Sequence, residues 1–135
     1  MSAAEHFFDT NVLLYLLSSD TAKADWVEAA LAAGATISVQ VLNEFASVAL
    51  RKFGMQIGEV REVLAPITRA CTLVPLTLTL HQRGLQVVER YGFSVYDSLI
   101  VAAALESGCT TLYTEDLQHG QRIEKTLMVR NPFRP

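Results

Sequence analysis

The alternation of short apolar runs with longer stretches of helical periodicity is the feature that most constrains the fold. Strand candidates are His6–Asp9, Ala35–Ser38, Thr72–Pro75, Thr110–Thr114 and Thr126–Arg130. Helix candidates fill the intervals: Asn11–Ser18, Thr21–Ala33, Val39–Phe53, Ile57–Ala70, Leu78–Tyr91 and Val95–Ser107. The glycines that follow helical patterns, as helix-ending residues do, are Gly34, Gly54, Gly92 and Gly108. This alternation predicts an α/β domain with a largely parallel sheet covered on both faces.

The length and composition favour one packed domain over residues 1–135. Half of the residues are hydrophobic and 19% are charged, which is typical of a globular chain rather than a disordered one. The longest apolar runs, Val12–Leu17 and Leu99–Leu105, are too short to span a bilayer, and the first residues lack the pattern of a signal peptide. Cys71 and Cys109 are isolated and form no C-x-x-C pair. We therefore expect a reduced, cytoplasmic protein with no membrane association.

The overall charge limits how the chain can bind nucleic acid. Its 14 acidic and 11 basic residues give a formal net charge of −3. A protein that held nucleic acid mainly through its own positive field should be more basic. A function on nucleic acid would therefore need another source of positive charge close to the reacting phosphate.

An acidic residue, Asp9, stands at the junction of the first strand candidate and the first helix candidate. Thr10 and Asn11 follow it, and all three side chains accept hydrogen bonds from the free N–H groups of a helix start. Capping alone would therefore explain each of them. Ligands of parallel α/β sheets, however, bind beyond the carboxyl ends of the strands, which is where Asp9 lies. From this junction alone, both a cap and a ligand site stay open.

Two further acids lie on apolar helix faces. Glu44 follows Val41 by three residues and precedes Val48 by four, so it shares their face. The solvated stripe of the same helix is expected to consist of Gln40, Asn43, Ser47 and Arg51. Asp97 lies in the first turn of a helix that is apolar almost all round. A buried, unpaired carboxylate is costly, so an edge position for Glu44 and capping by Asp97 are the simple structural explanations.

A fourth acid completes a pattern at one edge of the expected sheet. Asp116 follows a β-type run that ends at Thr114, and turn chemistry would explain it alone. The acids that fall at strand ends or near helix starts are Asp9, Glu44, Asp97 and Asp116. Four carboxylates at one edge would repel one another unless a cation neutralised them, and ligands that are all oxygen favour Mg²⁺ or Mn²⁺ over zinc. Such a cation would also supply the positive charge that an acidic protein lacks.

Four stretches of the chain, in this order and spacing, resemble the PIN-domain ribonucleases. They are FFDTNVLLYLL, VQVLNEFASVA, FSVYDSLIVAAALESG and LYTEDLQHGQ. The resemblance covers nearly the whole chain and is greatest to the toxin subunit of bacterial VapBC toxin–antitoxin pairs. It implies a three-layer α/β/α sandwich with a central, mainly parallel sheet. It also implies an acidic Mg²⁺ or Mn²⁺ site and endonucleolytic cleavage of single-stranded regions of RNA.

The resemblance also assigns roles to residues by their position in these motifs. Asp9, Glu44, Asp97 and Asp116 match the family's catalytic acids. Asp9, Asp97 and Asp116 would bind the metal, and Glu44 would bind metal or orient the attacking water. The polar residues expected to support the site are Thr10, Asn11 and Thr114. Two neighbours lie beside this pattern and are not part of it: Glu115, an extra acid, and His119, whose place near the acidic loop makes it a candidate for an RNA contact.

The resemblance implies three partners: an RNA substrate, a cognate antitoxin that covers the acidic groove, and a second copy of the chain. The apolar surfaces of the Asn11–Ser18 and Ile57–Ala70 helices would serve a homodimer or antitoxin contact. A housekeeping PIN nuclease and a non-catalytic PIN-like scaffold are alternatives. A receiver domain would need an acid closing the third strand, where the chain reads TLVPLTL. A haloacid-dehalogenase-like phosphatase would need D-x-D, where Asn11 replaces the second Asp.

Overall fold

The computed structural model describes residues 5–134. Its strands are β1 (His6–Phe8), β2 (Ala35–Ser38), β3 (Cys71–Val74), β4 (Thr111–Tyr113), β5 (Arg122–Ile123) and β6 (Leu127–Arg130). Its α-helices are α1 (Thr10–Leu13), α2 (Thr21–Ala33), α3 (Val39–Arg51), α4 (Ile57–Ala70), α5 (Leu78–Tyr91) and α6 (Val95–Glu106). A 3₁₀ turn, Leu14–Leu17, continues α1. None of the helices within residues 5–134 is long and apolar enough to cross a membrane.

The six strands form one sheet in the order β3-β2-β1-β4-β6-β5. All neighbouring strands are parallel except β5, which pairs antiparallel with β6. β1 lies at the centre, where Phe7 pairs with Thr36 on one side and with Leu112 on the other. Because the strands β1, β2, β3, β4 and β6 run in one direction, their carboxyl ends lie at the same edge of the sheet.

A continuous hydrophobic core fixes the position of this edge. Phe7 and Phe8 of β1 are fully buried, as are Ile37 of β2 and Leu112 of β4. α6 is buried from Ile100 to Ala104, which agrees with its apolar character all round its circumference. The sheet flanked by helices confirms the expected α/β sandwich with a mainly parallel sheet.

Two local features differ from the expectation. The predicted helix Asn11–Ser18 is a four-residue helix followed by a 3₁₀ turn, since Ser18 already has an extended backbone. β5 was not expected, because it is only two residues long and depends on pairing with β6. The turn between β5 and β6 contains Glu124 and Lys125 at φ of 49° and 66°, a conformation that usually favours glycine. Neither residue signals such a turn in the sequence.

Candidate metal centre

Three of the predicted acids meet at the carboxyl edge of the sheet. One carboxylate oxygen from each of Asp9, Asp97 and Asp116 lies within 4.8 Å of the others. Asp9 follows β1, Asp97 lies in the first turn of α6, and Asp116 follows β4 by three residues. Glu44, on α3, lines the same pocket of about 210 Å³. The topology therefore brings together acids that are up to 107 residues apart in the sequence (9 to 116).

Asp9 is the most buried of these acids, with 5% of its surface exposed. Its Oδ1 accepts a hydrogen bond from the N–H of Thr10 (2.7 Å), and its Oδ2 accepts one from the hydroxyl of Thr114 (2.8 Å). The pKa of Asp9 is raised to about 7. Burial is the main cause and the charges of Asp116 and Glu44 add to it, whereas the two hydrogen bonds act in the opposite direction. Asp9 caps α1 and also lines the acidic pocket, so both explanations of this residue hold.

Thr114 is the centre of the hydrogen bonds that hold this edge. Its hydroxyl donates to Asp9 and accepts from the Nδ2 of Asn11 (3.3 Å) and the N–H of Asp116 (3.0 Å). The Oδ1 of Asn11 in turn accepts from the N–H of Glu115 (3.3 Å). One donated and two accepted bonds use the full capacity of the hydroxyl. Thr114 therefore fixes the loop after β4 against the end of β1.

Glu44 is half-buried at the margin of its apolar face, beside buried Val41. Its Oε1 accepts a hydrogen bond from the hydroxyl of Thr10 (2.7 Å). The expected edge position is therefore what the structure shows, but the partner is a hydroxyl rather than an arginine. This bond connects α3 to the residue directly after Asp9.

Asp97 is half-buried, and Ser94 rather than Asp97 caps α6. The N–H of Asp97 donates to the Oγ of Ser94 (3.1 Å). The carboxylate itself lines the acidic pocket, so capping does not account for it. Burial raises the pKa of Asp97, and the charge of Asp116 adds to this effect.

Gln40 supports the site from outside the pocket, and its expected place on the solvated stripe is wrong. It is only 7% exposed, whereas the other residues of the expected solvated stripe, Asn43, Ser47 and Arg51, are exposed. Its Nε2 donates to the backbone carbonyl of Tyr96 (3.2 Å), which ties the start of α3 to the first turn of α6. Nothing in the helical pattern distinguishes Gln40 from its exposed neighbours, because its role depends on how two distant helices meet.

The two expected neighbours of the acids lie outside the acidic pocket. Glu115 accepts a hydrogen bond from the hydroxyl of Tyr15 (2.9 Å) and lines an adjacent pocket. Tyr15 had no expected role, and its hydroxyl also accepts from Lys23 (3.4 Å). The Nδ1 of His119 accepts from the N–H of Asn131 (2.9 Å), so this side chain attaches the loop after β4 to the C-terminal segment.

The donor set suits a hard divalent cation. The ion pairs within residues 5–134 join Lys23 to Asp20 and Arg83 to Glu124. None involves the acids that line the acidic pocket, which we call the four clustered acids: Asp9, Glu44, Asp97 and Asp116. The cluster offers only oxygen ligands, and its exposure increases from Asp9 through Asp97 to Asp116. Mg²⁺ and Mn²⁺ prefer oxygen ligands, and Mg²⁺ binds few protein carboxylates while keeping water or phosphate on its open side. These residues therefore fit such an ion.

The sheet is mainly parallel, and an acidic pocket lies at the carboxyl ends of its strands. The protein is therefore an α/β domain with an acidic site at that edge. The family model of the PIN domain matches residues 6–123, and the chain belongs to this family. Membership of the PIN family excludes the receiver and haloacid-dehalogenase alternatives. Among curated protein sequences, none matches the chain significantly.

Solved structures with the same fold come from several bacteria. A toxin–antitoxin complex from Klebsiella pneumoniae has a TM-score of 0.71 and 18% identity, over 95% of this chain and 98% of that chain. VapBC2 from Rickettsia felis, bound to a DNA fragment from its promoter, has a TM-score of 0.66 and 18% identity (93% and 96% covered). The sarcin–ricin loop-cleaving toxin VapC20 from Mycobacterium tuberculosis has a TM-score of 0.65 and 19% identity (82% and 89% covered). At this identity the likeness shows the fold.

Proposed function

We propose that this protein is a Mg²⁺- or Mn²⁺-dependent endoribonuclease that hydrolyses phosphodiester bonds of RNA. The observation that carries the proposal is the cluster of Asp9, Asp97 and Asp116, whose oxygens lie within 4.8 Å of one another and form no ion pair with a basic side chain of residues 5–134. Membership of the PIN family supports the same activity. The acidic net charge fits it too, since the positive charge that phosphate requires would come from the bound ion.

The arrangement of the acids suggests separate roles for them. Asp9, Asp97 and Asp116 would each provide one oxygen to the ion, with Asp9 held rigidly by its two hydrogen bonds. When bound, the ion would neutralise charge on the phosphoryl oxygens and lower the pKa of a coordinated water. The exposed position of Asp116 leaves that side open for the RNA phosphate.

Glu44 would orient the attacking water. Its Oε1 is engaged by the Thr10 hydroxyl, and this bond fixes the carboxylate within the pocket that Asp9 also lines. The other oxygen, Oε2, makes no hydrogen bond within residues 5–134 and would accept one from water. A carboxylate held in this way positions a nucleophile without a change of its own conformation.

We further propose that the nuclease is the toxin of a type II toxin–antitoxin pair, acting as a cytoplasmic, single-domain protein and a homodimer. Two structures with this fold are named as a toxin–antitoxin complex and as a toxin, which supports an antitoxin partner. The structure offers an apolar pocket of about 370 Å³ between the 3₁₀ turn, α2 and α4. Leu16, Leu31, Val63 and Ile67 line it, so an apolar segment of an antitoxin would suit it.

RNA cleavage by the pure protein tests the nuclease proposal. We expect cleavage with Mg²⁺ or Mn²⁺, no cleavage in EDTA, and a loss of more than about 100-fold in Asp97→Asn, since even groups that only orient metal ligands contribute 10- to 100-fold. Asp25→Asn is the matched control, because Asp25 is an exposed acid on α2 outside the pocket. Unchanged cleavage in EDTA, or full activity of Asp97→Asn, would contradict the metal-dependent mechanism.

Expression in a bacterial host tests the toxin proposal. We expect growth arrest with the wild-type chain, no arrest with Asp97→Asn, and relief when a small protein encoded beside it is co-expressed. Cleavage of RNA in vitro without any arrest would instead indicate a housekeeping PIN nuclease.

A further inference from the structure

The acidic pocket continues into a second pocket of about 310 Å³. Asn11, Leu14 and Val48 line both, so the two pockets are parts of one groove, which we call the substrate groove. The four clustered acids line the first part, and Lys52 and Phe53 line the second. The groove therefore extends well beyond the volume that a metal ion and one phosphate would fill.

Each part of the substrate groove contains one exposed aromatic ring. Tyr96 lines the acidic part and is 68% exposed, and Phe53 lines the other part and is 45% exposed. The carbonyl of Tyr96 is held by Gln40 in the first turn of α3, whereas Phe53 follows the end of that helix. A helix of this length is about 20 Å long, and Glu44 lies between its two ends. Along α3, Glu44 therefore lies between the end that contacts Tyr96 and the end that Phe53 follows.

Neither ring contacts another aromatic ring within the described part of the chain. The aromatic contacts there involve other side chains, such as the stacked pair of Tyr91 and Phe93 and the rings around Trp26. The Tyr96 hydroxyl makes no hydrogen bond to any of residues 5–134. Large rings that are exposed beside a polar site are suited to a ligand with flat, apolar faces.

The charge of the substrate groove favours stacking over electrostatic binding. Among the described residues that line its two parts, Lys52 is the only basic one, against Glu115 and the four clustered acids. Away from the ion, a polyanionic strand would therefore gain little from the field of the groove. Nucleobases, by contrast, stack on aromatic side chains whatever the charge, and every base has such a face.

We propose that Tyr96 and Phe53 are base-stacking platforms for single-stranded RNA, one on each side of the phosphate that is cleaved, with Lys52 contacting the backbone beside Phe53. This inference rests on the proposed ribonuclease function and names how that site holds its substrate. Tyr96 directly precedes Asp97, and the Gln40 bond and the Ser94 cap fix the backbone around both residues. A base stacked on Tyr96 would thus position its phosphate relative to the acids.

Equilibrium binding of a fluorescent, short single-stranded RNA of mixed sequence tests the platforms. Fluorescence anisotropy is measured in an Asp116→Asn background with Mg²⁺ present, so that cleavage does not consume the probe. Tyr96→Ala and Phe53→Ala should each raise Kd about tenfold, which is within the range of stacking losses measured by alanine substitution. Tyr96→Phe should leave Kd unchanged, because it keeps the ring. Leu85→Ala is the control, since Leu85 is 47% exposed on α5 and lines neither part of the groove.

RNA with a single abasic position and a salt titration make the test specific. Removing the base that stacks on Tyr96 should weaken binding to the parent protein but not to Tyr96→Ala, because that contact is already lost. The Tyr96→Ala loss should be the same at low and high salt, whereas Lys52→Gln should reduce the salt dependence.

Failure of this inference and failure of the proposed function give different results. If the wild-type chain cleaves RNA but Kd is unchanged in Tyr96→Ala and Phe53→Ala, the stacking proposal is wrong and the ribonuclease proposal is retained. If Kd rises as expected but the wild-type chain cleaves no RNA, the ribonuclease proposal is wrong and the stacking proposal is retained. An altered oligomeric state in Tyr96→Ala with unchanged Kd would show that the ring is a protein contact, which overturns the inference.

Discussion

Two regions with opposite energetics, the hydrophobic core and the acidic pocket, meet at the end of β1 in this protein. Phe7 and Phe8 are fully buried in the core, whereas the next residue, Asp9, is a carboxylate that is 5% exposed. Burial of apolar surface stabilises the fold, but burial of a charge costs free energy, and accordingly the pKa of Asp9 is raised to about 7. The comparison indicates that the core holds the acids close together at a cost that a bound cation would relieve.

Removal of a core ring should have the largest effect on this comparison. Phe7→Ala should lower the free energy of unfolding by about 3–5 kcal/mol, since it removes apolar contacts and leaves a cavity. Urea denaturation in EDTA measures this loss. At a temperature where Phe7→Ala is still folded, Mg²⁺ should raise its melting temperature by as much as it raises that of the wild type. A lost response to Mg²⁺ would show that core and acids are not energetically separate.

Asp9 should make the cation-free protein less stable as the pH rises. The folded pKa of about 7 lies above the ordinary value of 3.8, so the folded state binds this proton more tightly than the unfolded state does. The resulting stabilisation is fully present below pH 3.8 and is lost between about pH 4 and 7. Urea denaturation in EDTA at several pH values should show the full slope in the wild type and in Asp25→Asn, but a clearly smaller slope in Asp9→Asn, where the raised pKa of Asp97 still contributes. Identical slopes in all three proteins would contradict it.

Loss of the Thr114 hydroxyl should reduce both the stability of the fold and the cleavage of RNA, by an intermediate amount. Thr114→Val keeps the side-chain shape but removes the bond to Asp9 and leaves the Asn11 amide and the Asp116 N–H without their acceptor. We expect a loss of about 1–3 kcal/mol in unfolding free energy, since the hydrogen bond to the buried Asp9 carboxylate and two partly buried hydrogen bonds are lost. Cleavage should fall by about 10- to 100-fold, because the orientation of Asp9 is lost.

The conservative variant separates the two effects of Thr114. Thr114→Ser keeps the hydroxyl and should retain most of the RNA cleavage measured for the wild type, whatever the lost methyl group costs in stability. Equal loss of cleavage in the Val and Ser variants would mean that packing, and not the hydrogen bond to Asp9, is the contribution of this residue.

The elements that the sequence predicted well are those with local signals. α2, α4 and α5 begin and end at the predicted residues, because helical periodicity and the capping of helix ends act within a few residues. β5 was missed because a two-residue strand exists only through its pairing with β6. The preceding loop and the turn at Glu124 and Lys125 contain no local pattern from which that pairing follows.

The residues of the candidate site divide in the same way, into those with a local signal in the sequence and those without one. Asp9, Glu44 and Asp97 were found because each interrupts an apolar pattern that local packing alone would have kept apolar. Gln40 and Tyr96 were not assigned to the site, because their hydrogen bond joins residues 56 positions apart on two helices. A polar residue on such a stripe becomes buried only where another helix covers it. The sequence of the stripe does not show which of its residues will be covered.

The smallest expected effect concerns Ser98, where the apolar helix α6 meets the acids. Ser98 is fully buried beside Asp97, and its Oγ has no hydrogen-bond partner within residues 5–134. Ser98→Ala should therefore raise the free energy of unfolding by up to about 1 kcal/mol, since it removes an unsatisfied polar group from the interior and favours the helix. Thermal denaturation measures this gain, and RNA cleavage should be unchanged. A destabilised or inactive Ser98→Ala protein would mean that the hydroxyl binds an ordered water of the acidic site, and the boundary between core and site would then lie one residue deeper in α6.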